Sequence, residues 1–237
     1  MAKHDKIKKL FEKGGGVFCT PLPDFRRKVE AALGIVFDWD GVFNKGEKHG
    51  GGSSPFNEVD SMGTNLFRFA FWMKHQNLPT SAIISGENNE SATIWSQRES
   101  FHAAYSKMAN KPEAIQHLCE KQGIAPEQLI YIFDDVLDLP VAEIVGVRLF
   151  IPRTANPLLN KYVIDNGLAD YCTGASSGNY AVREACELLM GMLGVYEEAL
   201  SERIKFSEKY SQFLAERNST KTVLYTKQNN RITTLHP

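Results

Sequence analysis

Apolar positions along the chain fall into two patterns. Short runs are apolar on both sides: Ile35-Val36-Phe37, Ser81-Ala82-Ile83-Ile84, and the stretches 102–105, 129–133 and 147–151. Each is too short for a helix and rich in β-branched or aromatic residues, which predicts strands buried on both faces of a parallel sheet. Between the runs, apolar residues recur at helical spacing. Helices are expected over 24–33 with Asp24 as cap, 60–75, 89–98, 110–122 and 139–145. In the second of these Leu66, Phe67, Phe69, Ala70 and Met73 are available for burial; in the fourth Pro112 sits in the first turn and Gly123 closes the helix. An amphipathic helix is expected over 180–193 and another over 196–216, with a frayed polar end after 218.

Strands alternating with helices imply βαβ units and an α/β fold with a doubly wound, mostly parallel sheet. Gly14-Gly15-Gly16, Pro21 and Pro23 break up the start of the chain. The expected division is an N-terminal extension of low regularity (1–33), a core (34–193) and a C-terminal helical tail (194–237). The stretch 44–55 is too polar to build core and reads as a loop or a short β-hairpin flap, with Gly50-Gly51-Gly52 at its tip.

Composition narrows the function classes. The chain has 237 residues and a formal net charge of -1, so no global field favours nucleic acid or an anionic membrane. Lys3, Lys6, Lys8, Lys9 and Lys13 make only the start basic, and a solvated helix or loose tail accounts for them. No apolar stretch approaches the ~20 residues of a membrane helix. Cys19, Cys119, Cys172 and Cys186 have no metal-like spacing. With no apolar signal core they are expected to be reduced thiols of a cytoplasmic protein.

In a doubly wound sheet, ligands bind beyond the carboxyl ends of the strands. Three predicted strands end on chemistry: the first on Asp38-Trp39-Asp40-Gly41, the second on Ser85-Gly86, the fourth on Asp134-Asp135 with Asp138 just after. Close carboxylates repel, and a hard divalent cation such as Mg2+ removes the conflict. Asp38 and Asp40 suit phosphoryl transfer, one as nucleophile and the other as acid and base. Asp134 is placed as a metal ligand. Asp135 holds a metal water or orients a neighbour, and Asp138 either joins the cluster or only caps the next helix. Ser85, with nearby N–H groups, can hold a phosphate oxygen. Lys111 opens a helix, where a cation opposes the dipole, so an anionic partner is expected for it.

Taken together, Asp38-Trp39-Asp40-Gly41-Val42, Ile84-Ser85-Gly86, Asn110-Lys111-Pro112 and the stretch from Asp134 to Pro140 resemble the four motifs of haloacid dehalogenase (HAD) superfamily phosphatases. Phe56-Asn57 with Asp60, Asn156-Pro157-Leu158-Leu159 and Ala181-Val182-Arg183-Glu184 extend the resemblance to the 3-deoxy-D-manno-octulosonate 8-phosphate phosphatase group, over roughly residues 34–193. The resemblance implies a capless Rossmann-like core, a Mg2+ cofactor and a homo-oligomer, with a tetramer favoured. It implies Asp38 as nucleophile and ligand, Asp40 as acid, base and backbone-carbonyl ligand, and Asp134 as ligand. It also implies Ser85, with Gly86, on the phosphate, Lys111 neutralising charge, and Asp60, Asp135 and Arg183 around the substrate. The expected function is hydrolysis of a small sugar or sugar-acid phosphate. Val59, Glu87 and Phe133 stand where the group usually has arginine, arginine and glycine. They motivate a second reading, a catalytically weak oligomerisation or partner-binding module.

Overall fold

Val36 turns to one side of its strand and Ile35 and Phe37 to the other, and all three are fully buried. A strand with two buried faces needs a layer on each. The computed structural model, which describes residues 3–50 and 53–235, supplies both. In chain order the elements are α1 (Lys3–Lys13), β1 (Val17–Phe18), α2 (Leu22–Ala31), β2 (Gly34–Phe37), α3 (Glu58–His75), β3 (Thr80–Ile84), α4 (Glu90–Arg98), β4 (Ala103–Ser106), α5 (Lys111–Gln122) and β5 (Leu129–Phe133). Then follow α6 (Leu139–Ala142), β6 (Val147–Phe150), α7 (Pro157–Asp165), β7 (Tyr171–Cys172), α8 (Ala181–Leu193), α9 (Tyr196–Ile204), α10 (Glu208–Ser219), β8 (Val223–Gln228) and β9 (Arg231–Thr234).

They form one sheet in the order β1-β7-β6-β5-β2-β3-β4-β8-β9. β2 lies between β3 and β5, parallel to both, with Ile35 level with Ser81 and Ile130. Only the outermost pairs, β1 with β7 and β8 with β9, are antiparallel. One face packs on α2, α3 and α8 through Ile35, Phe37, Ile130 and Ile132, and the other on α5, α6 and α7 through Val36, Leu129, Tyr131 and Phe133. Each fully buried large side chain of this kind contributes on the order of 1.5–3 kcal/mol. The α3–α8 contact is close because of Gly63, where a Cβ would stand 3.0 Å from Arg183 Cα. This arrangement is the α/β, doubly wound, mostly parallel sheet expected from the strand–helix alternation.

Several local expectations need correction. The described residues after Asn218 are not frayed: β8 adds to the sheet alongside β4, and β9 turns back on it. Tyr225 stacks on Tyr105 with ring centroids 4.9 Å apart. The helix expected over 196–216 is two helices, broken where Phe206 takes a φ of 48° and Ser207 caps α10 by accepting from Tyr210 N–H. Residues 3–33 of the expected extension are mostly regular, with β1 in the same sheet and α1 lying against α8. Asp24 does not cap α2, which starts at Leu22; it pairs with Arg27 at 2.9 Å in the first turn.

The expected β-hairpin flap has no strand among the described residues between β2 and α3, since its glycine and polar side chains offer no apolar face to pair. Gly51 and Gly52, expected at its tip, lie outside the described residues. The loop does fold back, with His49 N–H donating to Ser53 O at 2.8 Å. α7 and β7 lie in a stretch to which no element is assigned from the sequence, and β7 joins β6 to β1 in the sheet.

Candidate active site

β2, β3 and β5 run in the same direction, so Asp38, Ser85 and Asp134 emerge at one edge of the sheet. Asp38 N–H donates to Ile132 O at 3.0 Å, which extends the β2–β5 ladder by one residue and fixes where its carboxylate starts. Gly41 follows with φ 88°, and a Cβ there would collide with the Asp134 carboxylate. A glycine is therefore required for the turn to pass the neighbouring strand end.

Lys111 arrives from the N-terminus of α5. Its ammonium lies 2.5 Å from Asp38 Oδ1 and 2.5 Å from Asp138 Oδ1, with all three side chains at most 8% exposed. The anionic partner expected for a cation at a helix N-terminus is thus a pair of carboxylates. The Asp138 side chain does not cap α6; it accepts instead from the Tyr131 hydroxyl and from Asp135 N–H. Among the described residues, one carboxylate oxygen each of Asp38, Asp134 and Asp138 lies within 4.8 Å of the other two.

The charges are not balanced. Burial pushes the Asp38 carboxyl up to about 6, with Lys111 pulling it down and Asp138 pushing it further up. Burial, then the Asp38 charge, push Asp134 up to about 9 although Arg153 opposes them. Burial would lower Lys111, but Asp38 and Asp138 outweigh it and hold its ammonium above the usual lysine range. A further cation beside Asp134 would therefore favour its charged form. Both its oxygens are buried and accept no hydrogen bond of normal geometry. Oδ2 meets the Arg153 guanidinium and Oδ1 meets no donor, and an all-oxygen donor set with such an unsatisfied buried atom fits a hard divalent cation. Asp138, already held by three donors, orients Lys111, which leaves Asp38 and Asp134 as the candidate cation ligands.

Asp40 lies beside this centre, with one oxygen accepting from Ser54 Oγ and Asn89 Nδ2 and the other paired with Lys48. A cleft of about 290 Å³ opens over Asp38, Asp40, Lys48, Ser85, Gly86 and Lys111. Ser85 is 3% exposed and anchored by its backbone to Tyr105 and Met108. Asp135 caps the turn after β5 and stands half exposed at the cleft mouth. Asp60 and Arg183 are not brought to the cleft. The Asp60 carboxylate accepts from Arg183 N–H at 2.8 Å and from Asn57 Nδ2 at 2.6 Å, joining the starts of α3 and α8. The Arg183 side chain pairs with Glu187.

Arg153, Ser54, Asn89 and Lys48 were not singled out in the sequence. Asn89 carried a signal as the cap of a predicted helix one turn past Ser85. The others sit in loops whose path the sequence does not specify. A larger cavity, about 500 Å³ between α1, α8 and α9, lies away from these carboxylates.

No protein-family model matches the chain. The 3-deoxy-D-manno-octulosonate 8-phosphate phosphatase KdsC of Escherichia coli (strain B / BL21-DE3) is 32% identical over 185 residues, 76% of this chain and 91% of the relative. The chain belongs to the KdsC phosphatase family. Its solved neighbours include HAD superfamily hydrolases. A HAD superfamily (subfamily III A) hydrolase from Legionella pneumophila aligns with a TM-score of 0.64 at 26% identity, covering 77% of this chain and 95% of that one. The fold is also that of the Moraxella catarrhalis 3-deoxy-D-manno-octulosonate 8-phosphate phosphatase, solved with magnesium, phosphate and KDO. There the TM-score is 0.62 at 22% identity, over 76% of this chain and 97% of that one. As a member of the KdsC family the chain is a hydrolase of phosphoric monoesters.

Proposed function

We propose that the chain is a Mg2+-dependent phosphomonoesterase that hydrolyses a small sugar-acid phosphate through an aspartyl-phosphate on Asp38. The observation that carries this reading is the Lys111 ammonium 2.5 Å from Asp38, beside an Asp134 carboxylate whose Oδ1 is buried without a hydrogen-bond partner. The sugar-acid class is supported by the name of the Escherichia coli relative and by the ligands of the Moraxella catarrhalis neighbour. A homotetramer in the cytoplasm belongs to the same proposal and rests on the family resemblance.

Asp38 and Asp134 would hold the cation, and the family resemblance would add the Asp40 backbone carbonyl as a further ligand. The ion, when bound, neutralises phosphate charge and keeps both carboxylates ionised. Lys111 and the Ser85 hydroxyl, with the N–H groups around Gly86, hold the equatorial phosphoryl oxygens. A carboxylate oxygen of Asp38 attacks phosphorus in line with the ester oxygen, and the P–O ester bond breaks. Asp40 gives its proton to the leaving alkoxide. Asp40 then takes a proton from water as the water oxygen attacks phosphorus, and the Asp38–phosphorus bond breaks to release phosphate. Ser54 and Asn89 aim Asp40 at that line, and Asp135 stands at the mouth where substrate enters.

The test is phosphate release from a panel of sugar and sugar-acid phosphates, with Mg2+ or with EDTA, against an Asp38→Asn control. Mg2+-dependent turnover, strongest on a sugar-acid phosphate and absent in the control, supports the reading. Turnover no higher than the control on every substrate would leave a binding module instead.

A further inference from the structure

Arg153 lies in the loop between β6 and α7 and brings its guanidinium against Asp134 Oδ2. The carboxylate is fully buried, while the arginine side chain is 27% exposed. The other arm of the fork, Nη1, is 3.9 Å from Asp135 Oδ2 at the cleft mouth, where Asp135 is 47% exposed. A Cβ on Gly41 would collide with both Arg153 Nη2 and Asp134 Oδ2, so the pair meets against bare backbone. The arginine is not locked into this position: its Nε is buried without a hydrogen-bond partner, and the contact to Asp134 lacks hydrogen-bond geometry at the carboxylate.

One oxygen each of Asp38, Asp134 and Asp138 lies within 4.8 Å of the other two, and close buried carboxylates call for a cation beside them. A guanidinium stays protonated in any surroundings, so it is the side chain best suited to neutralise such a carboxylate. It carries one charge on a long flexible stem, however. A divalent ion carries two and is also held by Asp38. Both partners need the same Asp134 oxygens.

We infer that Arg153 and the divalent cation are alternative partners of Asp134. The guanidinium neutralises the carboxylate when no ion is bound and moves outward to Asp135 when one binds. The inference rests on the reading of Asp134 as a cation ligand. It gives the arginine a defined role: it pairs with the buried carboxylate and holds it in place without the ion, at a cost in ion affinity. Asp135, one residue along, is the nearby carboxylate that receives it.

The experiment is calorimetric titration of MgCl2 into the wild-type chain, Arg153→Ala and Arg153→Gln, with melting curves of each in EDTA and in saturating Mg2+. Arg153→Gln keeps much of the side-chain volume, so a packing defect in Arg153→Ala does not decide the result. Both variants are expected to bind Mg2+ more tightly than wild type, by roughly three- to tenfold, the scale of one partly exposed ion pair. Both are expected to melt below wild type in EDTA, with the gap closing in Mg2+. Equal or weaker Mg2+ affinity, or the same melting deficit in both buffers, would show that Arg153 is only a packing residue and overturn the inference. No Mg2+ binding by any of the three proteins, wild type included, would overturn the cation reading of Asp134 itself.

Discussion

Lys111 and Asp38 are 73 positions apart in the chain, and their charged atoms stand 2.5 Å apart. The same ammonium reaches Asp138, so one lysine ties the ends of β2 and β5 to the start of α5. Removing it takes a fixed positive charge from the phosphoryl site and leaves two buried carboxylates facing each other. Lys111→Met is expected to lower kcat by roughly 10²–10³-fold, the usual effect of deleting one preorganised donor to a transition-state oxygen. Steady-state kinetics at saturating Mg2+, with circular dichroism to confirm folding, checks this. A loss under tenfold would remove Lys111 from the chemistry.

The acidic and basic residues of this centre were legible because each follows a strong local pattern. Asp38 and Asp134 end apolar strands, and Lys111 precedes a proline in a helix start. Parallel pairing then carries strand ends to one edge whatever the intervening loops do. Arg153 and Ser54 were not legible, since their positions depend on loops whose only signals are glycine, proline and polarity. Asp60 and Arg183 show the opposite case. Both are part of the family resemblance, yet Asp60 is spent on the α3–α8 junction. The terminal strands were missed for a different reason: Val223-Leu224-Tyr225-Thr226 and Ile232-Thr233-Thr234 lie at the sheet edge, where alternation with polar residues looks like a tail.

The turn between β8 and β9 supplied the overlooked signal. Asn229 and Asn230 have φ values of 48° and 58°, the two left-handed residues of a type I′ hairpin turn. Glycine is preferred at the second of these positions. Asn230→Gly is expected to raise stability by about 0.5 kcal/mol, and Asn230→Val, which resists positive φ, to lower it by about 1–2 kcal/mol. Urea denaturation read by near-ultraviolet circular dichroism measures both. Equal shifts for the two variants would contradict the turn assignment.

Asp170 ties the first thirty residues to the sheet. Its fully buried carboxylate accepts from Thr20 at 2.6 Å, from Lys28 at 2.7 Å and from the Arg148 guanidinium at 2.9 Å. Burial would raise this carboxyl, but the donors of Arg148, Lys28 and Thr20 outweigh it and hold it below the usual range. In the unfolded chain an aspartate titrates at about 3.9. The depressed folded value therefore contributes stability that is complete above that pH and is lost as pH falls toward the folded value. Asp170→Asn is expected to cost about 2–4 kcal/mol at pH 7. The gap from wild type should narrow once the pH drops below about 4. A gap independent of pH between 7 and 3 would mean that Asp170 contributes through packing and not through charge.

Asn89 performs two tasks with one amide. Its Oδ1 accepts from Ala92 N–H at 3.2 Å, capping α4, and this fixes Nδ2 toward Ser54 Oγ, 2.6 Å away, and Asp40 Oδ1, 3.4 Å away. The cap thus sets the direction of the proton-transfer carboxylate. Asn89→Ala removes both functions and is expected to cost about 1 kcal/mol of stability and about tenfold in kcat. Asn89→Ser restores a cap but is too short to reach Asp40. It should recover most of the stability and little of the rate, while KM stays near wild type in both variants. Rate and stability recovering together in Asn89→Ser would show that Asn89 acts only by holding the helix start in place. In that case Asp40 would be aimed by Ser54 and Lys48 alone.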